Sequence, residues 1–334
     1  GMTAVSQEKL KSAVACPACD HSGLSIFYQL DRIPVNSCLL LPTRDEARAF
    51  PHGNLKLAAC HHCGFITNVC FNPHLVSYTA QYEDQQSYSP TFNAFAKQLA
   101  DQLTEQFNLR DKDILEIGCG KGDFLRLLCS SGGNRGTGID PSISRRQIDE
   151  ARNNFIKWIP QALEAAHSQF PADFVCCRHT LEHIHNVKDF ARLIREVIGD
   201  RDTALFVEVP DTRRVLADCA FEDIYYEHCS YFTADSLAFL LRAADFEITR
   251  EYRAYADQYL MVEARPAKGS PKFKTKKGVS SAEILTLTEN FSLAVERQKN
   301  DWGQVFDDYR DQPIALWGSG SKCVSFFSNL RPNM

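Results

Sequence analysis

Three groups of residues in this chain have the types and spacing that chemistry requires. The first is the run from Leu115 to Leu125, LEIGCGKGDFL. A strand-like apolar lead-in ends in Glu116, and three glycines, Gly118, Gly120 and Gly122, follow within five positions. A backbone turning that sharply from strand to helix needs positive φ angles or the close approach of a ligand, and glycine allows both. Free N–H groups at the helix start that follows suit an anionic or carboxylate-bearing ligand. A second short apolar strand, Gly136 to Ile139, ends in Asp140-Pro141, where an acid is placed to bind two ribose hydroxyls. This group predicts a nucleoside-bearing cofactor.

The second group is a pair of C-x-x-C knuckles, Cys16-Pro17-Ala18-Cys19 and Cys60-His61-His62-Cys63, about forty residues apart. Four thiolates in this arrangement match a closed, tetrahedral structural zinc site. A redox dithiol and simple burial are the competing readings. His61 and His62 read as loop residues, and Cys38 and Cys70, which lack knuckle spacing, read as small buried side chains. The third group is polar and aromatic. Arg178-His179-Thr180-Leu181-Glu182-His183-Ile184-His185 directly follows the apolar strand Asp173 to Cys177, and Ile224-Tyr225-Tyr226-Glu227-His228-Cys229-Ser230-Tyr231-Phe232 lies further on. A tyrosine, an acid and a histidine this close can supply a phenolic donor, an orienting carboxylate and a general base. Packing alone is the plainer reading of the same residues. His179 and His183 have the spacing of a metal pair, but no third ligand accompanies them.

The elements that must position these groups follow an α/β alternation. Strands are expected at 113–117, 136–139, 173–177 and 204–209, with a late pair near 246–252 and 259–264. Helices are expected near 124–129, 144–153, 187–198 and 234–243, with an amphipathic helix at 93–107 before them. This pattern predicts a mostly parallel, doubly wound sheet with ligands beyond the carboxyl ends of its strands. Residues 13–75 read as a metal-stapled module too small to build much core unaided. Residues 76–266 read as the cofactor domain, beginning with the tyrosine-rich stretch YTAQYEDQQSYSP, and 267–281 as a lysine- and glycine-rich linker. Residues 282–334 read as a long helix opened by a Ser280–Glu283 capping box, then the start of an incomplete C-terminal α/β domain at Ile314 to Lys322.

Length and composition bound the function. The chain has 334 residues, enough for two or three domains, and its 44% hydrophobic content is that of an ordinary globular protein. A formal charge of −5 disfavours a general nucleic-acid binder. No apolar run approaches the ~20 residues of a membrane span, and no signal peptide precedes the cysteines. A cytoplasmic protein is expected, its thirteen cysteines reading as thiols and metal ligands rather than disulfides. Oligomeric state is open.

The glycine spacing G-x-G-x-G, with Glu116 two residues before it, resembles motif I of the class I S-adenosylmethionine-dependent methyltransferases more than the G-x-G-x-x-G of dinucleotide enzymes. That resemblance implies a Rossmann-like sheet in which Glu116, Gly118, Gly120 and Gly122 wrap the amino-acid part of S-adenosylmethionine, and Asp140 takes the ribose, with Pro141 and His179 in the cofactor pocket. The order of pieces is similar to the deoxysugar C-methyltransferases of antibiotic and surface-sugar biosynthesis. It comprises paired knuckles, this domain, Tyr225-x-Glu227-His228 and a final strand-glycine-lysine element. The likeness covers residues 13–334. It implies structural Zn2+ on Cys16, Cys19, Cys60 and Cys63, and a nucleotide-linked keto sugar as small-molecule substrate. It further implies His228 as base beside Tyr225 and Glu227, His183 in the cleft, and Tyr82 (or Tyr78) brought over the site. Members of that family run well beyond the terminal element, and YEDQQSYSP differs from their pattern. The competing functions are an O- or N-methyltransferase acting on another small molecule, and a zinc-module binding protein with a vestigial methyltransferase domain.

Overall fold

The computed structural model describes residues 11–12, 14–35, 45, 51–79, 90–150, 155–268, 281–313, 315 and 329. In chain order the strands are β1 (Lys11–Ser12), β2 (Leu24–Pro34), β3 (His52–Cys60), β4 (Ile66–Asn68), β5 (Asp113–Ile117), β6 (Arg135–Ile139), β7 (Ile156–Ile159), β8 (Phe174–Arg178), β9 (Ala204–Pro210), β10 (Ser230–Tyr231), β11 (Phe246–Ala254) and β12 (Tyr259–Pro266). The helices are α1 (Pro73–Thr79), α2 (Pro90–Phe107), α3 (Asp123–Gly132), α4 (Arg145–Glu150), α5 (Val187–Ile198), α6 (Thr212–Ala217), α7 (Ala234–Ala243) and α8 (Ser281–Asp308).

These elements form two compact units. One comprises Asp84–Asp211 and Leu237–Lys276. Its sheet has the order β11-β12-β9-β8-β5-β6-β7, parallel from β9 to β7 and closed on the other side by the antiparallel β12 and β11. β8 and β9 are buried residue after residue, as strands covered on both faces must be. α5 shows the complementary helical rule: Val187, Ala191, Ile194, Val197 and Ile198 are buried on one stripe. The chain runs from β5 outward through β6 to β7, then crosses to β8 on the other side of β5. That reversal opens a crevice at the carboxyl ends of β5 and β8. The mostly parallel doubly wound α/β sheet predicted from the alternation is present, with β7 as a strand that the pattern did not reveal.

The other unit comprises Gly1–Glu83, Thr212–Ser236 and Lys277–Met334. Its sheet is antiparallel throughout, in the order β1-β2-β3-β4-β10. The core joins Leu55, Leu57 and Ile66 of the sheet to Ile224, Tyr226 and Tyr231, and to Ile284, Phe291 and Val295 of α8. Tyr28 donates to the side chain of Asn329 at 2.7 Å, a buried bond that holds Asn329 to β2. The unbroken cofactor domain expected at 76–266 is therefore interrupted. Residues 212–236 group with the cysteine-bearing sheet because β10 pairs with β4, Ser230 opposite Thr67 and Tyr231 opposite Ile66. Likewise, the long helix expected from residue 282 is the supporting wall of that sheet rather than the opening of a separate domain. Tyr82, the linker after Lys268 and the Trp317–Lys322 element lie outside the described residues.

Candidate functional site

In the parallel-sheet unit, the β5 loop departs from the centre of the crevice. Its glycines do different work. A Cβ on Gly118 would stand 2.0 Å from Oγ1 of Thr180, and one on Gly122 would stand 2.1 Å from the Trp158 ring, so these two admit protein side chains. Gly120, at φ 53°, has no atom within 4 Å of its Cβ position and faces open space. The loop is held from both neighbouring strand ends. Gly118 donates to the Ile139 carbonyl at 2.8 Å, and the Thr180 hydroxyl donates to the Arg178 and Gly118 carbonyls at 3.0 and 3.4 Å. Asp140 accepts from the Gly120 amide at 2.9 Å and from the Ser142 amide and hydroxyl at 2.8 and 2.7 Å. The carboxylate expected at the ribose thus also ties the loop to β6, while Pro141 beside it is exposed. Glu116 is only 3% exposed; its Oε2 accepts from the Cys176 thiol at 3.8 Å, and Oε1 has no hydrogen-bond partner among the described residues. Burial pushes this carboxyl up to about 8, against the lowering pull of Arg178.

The end of β8 carries a buried ionic cluster. Arg178 forms a bidentate pair with Glu208 of β9, Nε to Oε1 at 3.1 Å and Nη2 to Oε2 at 3.2 Å, and its guanidinium lies 3.9 Å over the Phe124 ring. His179 is at φ 49°, donates its backbone N–H to the Glu208 carbonyl at 2.9 Å, and places Nε2 against Glu208 Oε2. Burial works to raise Glu208, but Arg178 and His179 outweigh it and hold the carboxyl at about 2. The His179 ring, expected in the cofactor pocket, is directed to Glu208 and the Tyr259 ring, and Thr180 makes the contact with the glycine loop. Glu182 is buried with both carboxylate oxygens lacking a hydrogen bond among the described residues. His183 Nε2 and His179 Nδ1 stand 3.7 and 3.9 Å from its Oε1. Burial raises this carboxyl, and both histidines pull it down.

The antiparallel unit holds the other expected groups. The Sγ atoms of Cys16, Cys19, Cys60 and Cys63 lie within 4.8 Å of one another, with Cys16 to Cys63 at 3.7 Å and Cys19 to Cys60 at 3.6 Å. A zinc ion with Zn–S bonds of ~2.3 Å sets sulfur atoms about 3.8 Å apart, so the cluster has the size of a tetrahedral site. All four are free cysteines, and the Ala18 and His62 amides each donate to a knuckle sulfur at 3.4 Å. Cys70 stands apart from the cluster. The segment 224–232 is fixed to the same sheet. Tyr226 is fully buried, its hydroxyl accepting from the Asn72 amide at 2.8 Å, and Gly53 leaves it room, since a Cβ there would stand 2.4 Å from the ring. Its neighbour Tyr225 is half-buried, with its ring 4.2 Å from that of His228, and the His228 amide donates to the Tyr225 carbonyl at 3.2 Å. Glu227 and His228 are both buried.

Sequence reasoning passed over Thr180, Trp158 and the Arg178–Glu208 pair. A charge inside the apolar run ALFVEVP was a signal for Glu208. Trp158 had none, because the four-residue β7 carries no pattern of its own.

Residues 92–251 match the family described as Methyltransferase domain. Apart from 212–236, the matched residues fall within the doubly wound sheet unit, and a mostly parallel α/β sheet is the architecture such a domain requires. The chain is also similar to the C-methyltransferase NovU of Streptomyces niveus, 24% identical over 256 residues that make up 74% of this chain and 59% of that protein. The chain thus spans about three fifths of the length of the curated relative it matches. Among solved structures, the Burkholderia thailandensis 1,6-didemethyltoxoflavin-N1-methyltransferase is 18% identical, with a TM-score of 0.45 over 64% of this chain and 96% of that one. Magnesium protoporphyrin IX methyltransferase from Synechocystis is 17% identical, with a TM-score of 0.41 over 59% and 95%. Among the described residues, no helix is long and apolar enough to cross a membrane.

Proposed function

We propose that the chain is a C-methyltransferase that acts on a nucleotide-linked keto-deoxysugar, with His228 as the base. The observation that carries this reading is the Tyr225–His228 segment. An imidazole and a phenol ring stand 4.2 Å apart on a stretch anchored by Tyr226 and by the β4–β10 pairing, and the similarity to a C-methyltransferase agrees with it. The β5 loop fits S-adenosylmethionine: Gly120 leaves an open cradle, and Glu116 on the strand before it, with Oε1 unpartnered among the described residues, suits a cationic amino-acid head. Gly120, Asp140 and Glu116 would hold that cofactor, which when bound supplies an electrophilic methyl group. A carbon nucleophile has to be made for it. His228 takes the proton from the carbon next to the ketone, Glu227 favours the resulting imidazolium, and the Tyr225 hydroxyl donates to the enolate oxygen. His183, at the carboxyl edge of β8, serves as a cleft residue. The four-cysteine cluster holds a structural Zn2+ and takes no part in the reaction.

Incubation with a 3-keto sugar nucleotide in D2O, without S-adenosylmethionine, tests the base directly. Exchange of the α-proton is expected in the wild type and its loss in His228→Asn. A folded protein that methylates an acceptor without catalysing exchange would point instead to transfer to oxygen or nitrogen.

A further inference from the structure

Three carboxylates gather around the β5 loop, and two are provided for. Glu208 is paired with Arg178 and His179, and Asp140 accepts three hydrogen bonds. Glu116 has only a thiol at 3.8 Å on one oxygen and nothing among the described residues on the other. The charged and titratable groups around it come from the β5 loop, β6, β8, β9 and α3. Arg178 of β8 is committed to Glu208, while Asp140 after β6 and Glu208 on β9 are themselves anionic and oppose a further negative charge. The thiols of Cys176, Cys177, Cys119 and Cys129 complete the titratable groups around it among the described residues. A carboxylate so enclosed would be an uncompensated buried charge, so these protein surroundings favour the neutral acid.

We propose that Glu116 senses the charge of the ligand in the β5 loop: it releases a proton when S-adenosylmethionine binds and keeps it when the spent S-adenosylhomocysteine binds. This rests on the cofactor assignment above and extends it to discrimination between cofactor and product. S-adenosylmethionine carries an ammonium, a carboxylate and a sulfonium, a net charge of about +1 at neutral pH, and S-adenosylhomocysteine lacks the sulfonium charge. A net unit charge ~6 Å away at an effective dielectric near 20 lowers a carboxyl by about two pH units, and no direct contact is needed. From the value of about 8 that its protein surroundings give it, Glu116 would pass from about one-tenth to about nine-tenths ionised at pH 7. The proton goes to the buffer. When the sulfonium charge is lost in turnover, Glu116 regains a proton and its attraction for the ligand ends, which favours release of the product. Because the complex with S-adenosylmethionine holds fewer protons, its affinity should rise with pH between about 6 and 8, whereas that of S-adenosylhomocysteine should stay flat.

Calorimetry of both ligands with the intact chain at pH 7, in phosphate and in Tris, counts the protons. The wild type should release about 0.8 proton on binding S-adenosylmethionine and close to none on binding S-adenosylhomocysteine. In Glu116→Gln both counts should be near zero, and the preference for S-adenosylmethionine should fall about tenfold. Equal proton counts for the two ligands in the wild type, or an unchanged preference in the variant, would overturn the proposal. If the variant does not fold, the wild-type comparison of the two ligands still decides. A folded wild type that binds neither ligand refutes the cofactor assignment, and the inference with it.

Discussion

The two units of this chain assemble their chemistry in opposite ways. In the parallel-sheet unit, each group at the crevice lies within a few residues of a strand's carboxyl end: the glycine loop after β5, Asp140 after β6, and His179 and Thr180 after β8. The sheet itself brings them together, and each short stretch carries its own signature. In the antiparallel unit, the His228 segment is held by partners far away in the chain, with Tyr226 bonded at Asn72 and β10 paired with β4 across about 160 residues. The first unit is built around the ends of adjacent strands, the second around cross-links between distant ones. The second should therefore depend far more on its staples.

The largest effect should come from the four-cysteine cluster. Structural zinc contributes roughly 10 kcal/mol to small metal-stapled folds. Chelation, or Cys63→Ser, should abolish amide protection in β2, β3 and β4 and leave that of β8 and β9 intact, together with S-adenosylmethionine binding. Hydrogen exchange by mass spectrometry reads both units in one experiment. Equal loss of protection in β8 and β9 would show that the difference between the units does not extend to their stability.

The parallel-sheet unit has its own critical point, a buried charge cluster. Glu208→Leu leaves Arg178 buried without its counter-ion, a loss of about 3–5 kcal/mol. The same pair sets an acid limit. Because Glu208 titrates at about 2 when folded and at the ordinary carboxylate value, near 4, when unfolded, its contribution is complete above about pH 4 and fades as pH falls toward 2. Denaturant midpoints between pH 2 and 6 should fall on the acid side in the wild type, and less steeply in Glu208→Leu.

The same contrast explains what could be read without a structure. β5, the glycine loop and α5 were legible because hydrophobic period and turn chemistry act over a few residues, and α5 falls at 187–198 as expected. The convergence of the four cysteines was legible because C-x-x-C spacing is local within each half. The attachment of residues 212–236 to the cysteine-bearing sheet was not, since a two-residue strand such as β10 has no period and its partner is set by tertiary packing. The destination of the His179 ring was hidden for the same reason: its partner Glu208 lies on another strand.

A smaller effect separates the glycines of the loop. Gly122→Ala places a Cβ 2.1 Å from Trp158 at φ 84° and should cost about 2–4 kcal/mol of stability. Gly120→Ala meets no atom within 4 Å, and only its φ of 53° opposes the side chain, at about 1 kcal/mol. Thermal melts should rank the variants in that order. Binding of S-adenosylmethionine should single out Gly120→Ala, whose methyl group occupies the open cradle.

The smallest effect, on two adjacent residues, is the most discriminating. Tyr226→Phe removes the acceptor of the Asn72 amide and should cost about 1–2 kcal/mol, with acceptor turnover largely retained. Tyr225→Phe removes a hydroxyl from a half-buried ring beside His228 and should leave the melting temperature within about a degree while lowering turnover at least tenfold. One hydroxyl then belongs to the fold and its neighbour to the chemistry, although both sit in the same Tyr-Tyr pair. If instead Tyr225→Phe lowers stability and spares turnover, the segment is packing alone, and the assignment of His228 as base loses its companion group.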